Sequence, residues 1–260
     1  MQYVLAIWQR EIKSYFVSPI AYVVLTIFLV LAGLFFYGNL TEVVQFTMMQ
    51  AQLGQGGQPI DVPAYVAQSL FKTFTVILLF LIPMLTMGLF AEEKKRGTIE
   101  LLLTTPVGTS QALLGKYLAS LTFLLILLVA SMVTVSPLFV FGQPDWKPML
   151  AGYLGLFLYG AALLALGLFI STLTENQIVA VIVTFGASLV LWLVNVFGTV
   201  FGGSSSGPAR EVVDYLSVIN HLDDFLKGVI DTSHIIYYVT FSFVGLFLAY
   251  RSLESMRWKG

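Results

Sequence analysis

The sequence predicts an all-α membrane protein that crosses the bilayer six times. Three observations lead there: 58% of the 260 residues are hydrophobic, only 10% are charged, and the mean hydropathy is +0.88. Soluble domains are about half apolar and about a quarter charged. A chain this poor in polar groups cannot cover itself against water, so lipid must be its solvent. A helical span takes roughly 20 mostly apolar residues, and the apolar runs fall at about 20–37, 73–90, 113–139, 149–170, 178–201 and 235–250.

Residues 1–19 precede the first run. Leu5, Trp8, Ile12, Tyr15 and Phe16 recur on one side of a helix, with Gln9, Arg10 and Lys13 opposite. That period predicts an amphipathic helix lying in the membrane interface, or else a soluble helix packed on a neighbour, ahead of a six-helix domain over 20–260. The first apolar run starts near Ile20 and lacks a small-residue cleavage motif, so no cleavable leader is expected. Residues 38–69 are polar and carry Gly54, Gly56, Gly57, Pro59 and Pro63, which predicts an exposed loop. Pro83 is expected to kink the second span. In the fourth span, Ala151/Gly155 and Ala161/Ala165 are small residues four apart, which lets another helix approach closely. Thr174-Glu175-Asn176-Gln177 fits a capping box that opens the fifth span, Thr174 capping and Gln177 reaching back. Residues 202–233 combine a Gly/Ser connector with apolar residues at helical spacing among acidic ones. One or two amphipathic helices dipping into the outer leaflet satisfy that pattern.

Lysine and arginine placement sets the expected orientation. With the N-terminus inside, the inner segments hold Arg10, Lys13, Lys94, Lys95, Arg96, Lys116, Arg251, Arg257 and Lys259. The outer segments hold Lys147, Arg210 and Lys227, with Lys72 at the outer boundary, and collect most of the acidic residues. Both termini are therefore expected in the cytoplasm.

The stretch between the second and third spans stands apart. Glu92, Glu93, Lys94, Lys95 and Arg96 form a charged collar, with Glu92 and Arg96 placed to pair at i, i+4. Gly97 breaks the chain, and Thr98 to Thr104 has the pattern of a two-turn helix closed by Pro106. Ile99, Leu102 and Leu103 share one face of it while Glu100 points elsewhere. A short helix with an apolar side, held between two spans, suits docking onto another protein.

Several chemistries are excluded or weakened. The chain has no cysteine, so disulfides, thiolate metal sites and cysteine nucleophiles are out, and two histidines are too few for a histidine metal cluster. Gly108, Gly115 and Lys116 do not make a phosphate-binding loop: six residues separate the glycines and Tyr117 follows the lysine. Lys116 is expected to anchor the third span at the headgroups. Apart from Lys116 near the start of the third, the apolar runs carry no Asp, Glu, Lys, Arg or His, which weakens proton-coupled transport and intramembrane catalysis. Asp223, Asp224 and His221 are expected on a solvated helix face rather than around a metal.

The run Glu92 to Thr98, then Glu100-Leu101-Leu102, Pro106 and Gly115-Lys116, resembles the permease subunit of ABC-2 type exporters. Ser171 to Gln177 agrees with that resemblance, as do Tyr215-Leu216-Ser217, His221 and Phe225 to Asp231. The last group is most similar to the branch associated with gliding motility and nitrous-oxide reductase. The resemblance implies a half-transporter in a bacterial inner membrane, pairing with a second permease, identical or homologous, over a cytoplasmic ABC ATPase dimer. ATP and magnesium would then sit on the ATPase, with no cofactor in this chain. It implies a short cytoplasmic coupling helix, with Glu92, Glu93, Arg96, Gly97, Thr98, Ile99, Glu100, Leu102, Leu103 and Pro106 at the ATPase and Thr174, Glu175, Asn176 and Gln177 in a smaller contact. External re-entrant helices with Leu216, His221, Phe225 and Gly228 would gate the exit. An external accessory protein is compatible with this arrangement, and no nucleic acid is expected as partner. The alternatives from the residues alone are a transporter or channel without ATPase, or a non-transporting membrane anchor of a surface complex.

Overall fold

The computed structural model describes residues 2–52, 61–98, 108–142, 144–201, 215 and 217–257. Among these the chain is helical, without a strand. The helices are α1 (Gln2–Val17), α2 (Pro19–Gln52), α3 (Val62–Thr86), α4 (Ala91–Lys95), α5 (Thr109–Phe141), α6 (Trp146–Leu173), α7 (Gln177–Phe201), α8 (Val218–Leu226) and α9 (Thr232–Arg257). Six of them, α2, α3, α5, α6, α7 and α9, are long and apolar enough to cross a membrane.

Short polar side chains start most of these helices, as the orphan N–H groups of a first turn require. Asp61 accepts from Ala64 N at 3.2 Å before α3, and Asp145 accepts from Lys147 N at 3.1 Å before α6. Ser217 accepts from Asn220 N at 3.3 Å before α8, and Asp231 accepts from Ser233 N at 2.9 Å before α9. The start of α7 departs from the expected box: Asn176 is the cap, its Oδ1 accepting from Ile178 N at 2.9 Å. Thr174 instead closes a small turn by accepting from Asn176 N at 3.1 Å.

The core sits around α6, the most buried span, which packs most extensively on α9 and α3. Its small residues make that possible. A Cβ on Gly155 would lie 2.6 Å from Phe225, and one on Gly160 would lie 2.6 Å from Leu124. Ala165 receives α9 at Gly245, as the small-residue spacing predicts. Buried aromatics fill the remaining space: Phe28 with Phe74, Phe71 with Tyr153, and Tyr159 and Tyr238 fully enclosed.

Two expectations are corrected here. The loop expected over 38–69 is helical at both ends, since α2 continues to Gln52 and α3 begins at Val62. Residues 38–52 are polar but contain no proline and only Gly38, so nothing stops the helix before the glycines at 54–57. The amphipathic helix α1 packs on the first turns of α5 and on α2. Its inward side holds Ile7, which fills the space over Gly115, with Trp8 donating to Thr122 Oγ1 at 3.0 Å and Tyr15 against Phe123. Leu5, expected on that face, is exposed.

Candidate functional site

After Pro83 the third helix ends at Thr86, and the chain turns through residues 87–90 before the five-residue α4. A helix this short has no internal bonds for its leading N–H groups. Ser171, from the far end of α6, supplies the missing acceptor: its Oγ takes Phe90 N at 3.0 Å and Ala91 N at 3.1 Å, and donates to Met87 O at 3.4 Å. Lys94 Nζ donates to Thr172 O, the carbonyl that also accepts from Ser252 Oγ of α9 at 3.4 Å. The turn at 87–95 is thus bolted to the end of α6, which α9 meets at the same carbonyl.

On its other side α4 meets a group of charges. Lys116 Nζ lies 2.9 Å from Glu93 Oε1 and 3.3 Å from Glu11 Oε1, with the Phe90 ring 5.2 Å away. Arg10 pairs with Glu11 at 2.8 Å and reaches Glu93 at 3.6 Å. Two cations and two carboxylates therefore join α1, α4 and α5 in a neutral cluster. Burial alone would raise the Glu11 carboxyl, but Lys116 and Arg10 hold it below the ordinary value. Lys116 is only 2% exposed. The expectation that it anchors its span at the headgroups is corrected: it is a buried counter-ion, drawn inward by two carboxylates from other helices. Glu93 Oε2 is buried without a hydrogen-bond partner among the described residues.

The other collar residues behave as their spacing suggests. Glu92 and Arg96 form the i, i+4 pair, exposed on both sides. Gly97 takes φ +69, the left-handed region that ends helices, and donates its N–H to Lys94 O at 3.0 Å. Thr98 Oγ1 donates to Glu93 O at 3.2 Å. Ile99, Glu100, Leu102, Leu103 and Pro106 lie outside the described residues.

The 174–177 turn is brought to the same corner. Thr174 ends α6 two residues beyond Thr172, and Glu175 is close enough to Lys94 to act on it electrostatically. A Cβ on Gly88 would touch Glu92 Oε2 at 3.4 Å and Gln177 Nε2 at 3.9 Å, so Gln177 points back toward the collar. Sequence reasoning missed Arg10, Glu11, Lys116 and Ser171 as members of this corner. The one available signal was Gly115, a residue with no side chain at a helix face that another helix, α1, could fill.

At the opposite end, α8 lies against α6, with Phe225 and Leu222 over Gly155. Phe225 is fully buried and His221 nearly so. Gly228 takes φ +86 with Pro148 so near that a Cβ would sit 2.8 Å from it, which makes glycine the residue that fits this turn. Leu216 lies outside the described residues. His221, read from the sequence as part of a solvated face, is instead joined to His234 of α9, their Nδ1 atoms 2.8 Å apart. No group of three or more metal-ligating side chains occurs among the described residues.

Over residues 5–251, nearly its whole length, the chain matches the family described as ABC-2 family transporter protein. No curated protein matches it.

Proposed function

The chain belongs to the ABC-2 transporter family, and we propose that it is the permease of an ATP-driven exporter, worked by separate cytoplasmic ATPase subunits through the 97–106 segment. Members of this family are membrane components of transporters and not themselves the catalytic chain. The observation that carries the fuller reading is the corner around α4. From it the chain leaves at Gly97, and within it α4 is tied to α6 by Ser171 and Lys94, at a carbonyl that α9 also meets, and to α1 and α5 by Lys116. A push on the segment after Gly97 would therefore reach most of the bundle without melting any span.

In this proposal the corner faces the cytoplasm, in agreement with the positive charge gathered there. The 92–106 stretch takes the main ATPase contact and the 174–177 turn a smaller one. The α8 end with His221, Phe225 and Gly228 lies outside and lines the exit, and a second permease, identical or homologous, completes the path. ATP and magnesium belong to the ATPase.

The test is a pair of substitutions read in the assembled complex. Gly97→Pro imposes a φ near −65° where the chain holds +69, and Glu100→Arg reverses a charge in the docking segment. Both are expected to abolish cargo-stimulated ATP hydrolysis or ATPase co-purification while leaving the permease monodisperse in detergent. Unchanged co-purification and transport in both variants would refute the coupling role.

A further inference from the structure

Four groups form a single line at the α8 end. Tyr215 O lies 3.0 Å from His221 Nε2, His221 Nδ1 lies 2.8 Å from His234 Nδ1, and His234 Nε2 lies 2.9 Å from Asp224 Oδ2. Hydrogen counting fixes what this line must contain. A carbonyl oxygen only accepts, so His221 Nε2 carries its hydrogen. The Nδ1–Nδ1 contact needs one hydrogen between two nitrogens, and the bond to a carboxylate needs another. Three hydrogen bonds call for three hydrogens, while two neutral imidazoles bring two. We infer that His221, His234 and Asp224 form a proton-binding site, whose one bound proton latches α8 to the start of α9.

The hydrogens can be placed atom by atom. His221 is neutral, with its hydrogen on Nε2 and Nδ1 left as an acceptor. His234 carries hydrogens on both nitrogens, Nδ1 donating to His221 and Nε2 donating to the Asp224 carboxylate. When that proton leaves, one of the three bonds has no hydrogen and the line parts. A second proton would have to enter on His221 Nδ1, where two N–H groups would then face each other. Burial first, then the neighbouring His234, push the His221 imidazole below its ordinary value, so this second proton is resisted. The latch is therefore closed in a middle range of pH and opens on both sides of it.

Among the described residues the charges near the imidazoles are Asp224 itself and Asp231, which His234 also reaches electrostatically. The Tyr237 ring stacks on His221 with centroids 3.9 Å apart, and Tyr215 and Tyr238 meet it edge-on. Lys227 pairs with Asp224 at 3.7 Å in the open, and Asp231, on the loop before α9, accepts from Ser233 N. Across α8, Asp223 and Lys72 of α3 line a separate crevice with Trp192. The α6 side meets α8 through Gly155, at Leu222 and Phe225.

The chain contains only two histidines, so the full-length protein labelled with 15N-histidine and placed in lipid nanodiscs reports on this site alone. Side-chain 15N spectra across pH 5–8, the histidine range, are expected to show one ring doubly protonated and the other neutral with its hydrogen on Nε2. As pH rises a single proton should leave per pair. Asp224→Asn removes the charge partner and should cut the proton affinity about tenfold or more, whereas Asp223→Asn should not. Two rings neutral throughout would overturn the site. So would two rings titrating independently of one another, or a titration indifferent to Asp224→Asn. If Asp224→Asn fails to fold, His234→Phe serves: the remaining ring should then stay neutral through the range in which the pair holds its proton. A His221 that gains a proton in His234→Phe at the pH where the pair is singly protonated in the native protein also overturns it. These outcomes are independent of whether an ATPase drives the chain.

Discussion

Removing the Lys116 ammonium would leave the Glu11 and Glu93 carboxylates side by side with, among the described residues, only the exposed Arg10 to answer them. Taking one partner from a buried ion pair costs about 3 kcal/mol or more, because the remaining charge keeps its desolvation penalty. Lys116→Ala is therefore expected to lower the stability of the detergent-solubilised protein by about that amount, measured as a shift in its unfolding midpoint. Adding Glu11→Gln and Glu93→Gln to it should recover part of the loss. Acid probes the same residue from the other side. The folded value of Glu11 is lowered, so its stabilising contribution is present above the ordinary carboxylate range and lost as pH falls through the folded value. The native protein should lose stability on acidification below about pH 5, and Lys116→Ala should lack that component. None of this was legible in the sequence: Lys116 at the edge of an apolar run has the pattern of a headgroup anchor, and its partners come from helices 105 residues and about 20 residues away.

α4 has no cap of its own and borrows one from Ser171, 80 residues ahead in the chain. Ser171→Ala leaves Phe90 N and Ala91 N buried without that acceptor, a change worth about 1–2 kcal/mol. It should appear as faster hydrogen exchange over residues 90–96, with the α3 and α6 amides unchanged. Exchange that accelerates evenly over the whole bundle would mean that Ser171 holds more than α4. Elements differed sharply in how readable they were. The six spans and the Glu92–Arg96 pair followed from hydropathy and from spacing within one helix, both local properties. The extension of α2 to Gln52 did not, because polarity suggested a loop where only the absence of helix breakers mattered. The docking of α1 on α5 did not either, since an apolar stripe looks the same to lipid and to a neighbouring helix.

Across the whole molecule, α6 acts as the axis on which α3, α5, α8 and α9 close. Gly155 and Gly160 are two points of close approach, on sides facing α8 and α5. Gly160→Leu forces Leu124 aside and should destabilise the protein by about 1–3 kcal/mol or more. Gly155→Leu should instead detach α8, seen as new protease cleavage near 218–226 with the spans intact. The absence of cysteine from the chain makes the topology directly testable. Arg96→Cys and Lys227→Cys, both at exposed positions, should react with a membrane-impermeant maleimide from opposite faces of sealed vesicles. Labelling of both from one face would overturn the six-span arrangement.

With 34 residues, α2 measures about 51 Å at 1.5 Å per residue, against a hydrocarbon slab of about 30 Å. A straight rod of that length leans steeply or stands clear of the lipid by several turns. Its last turns carry Phe46, Met48 and Met49 uncovered, on the face of the bundle opposite α4. Where the rod stands clear, a bulky macromolecule approaching from that side would meet a greasy, sulfur-rich mast before the bilayer.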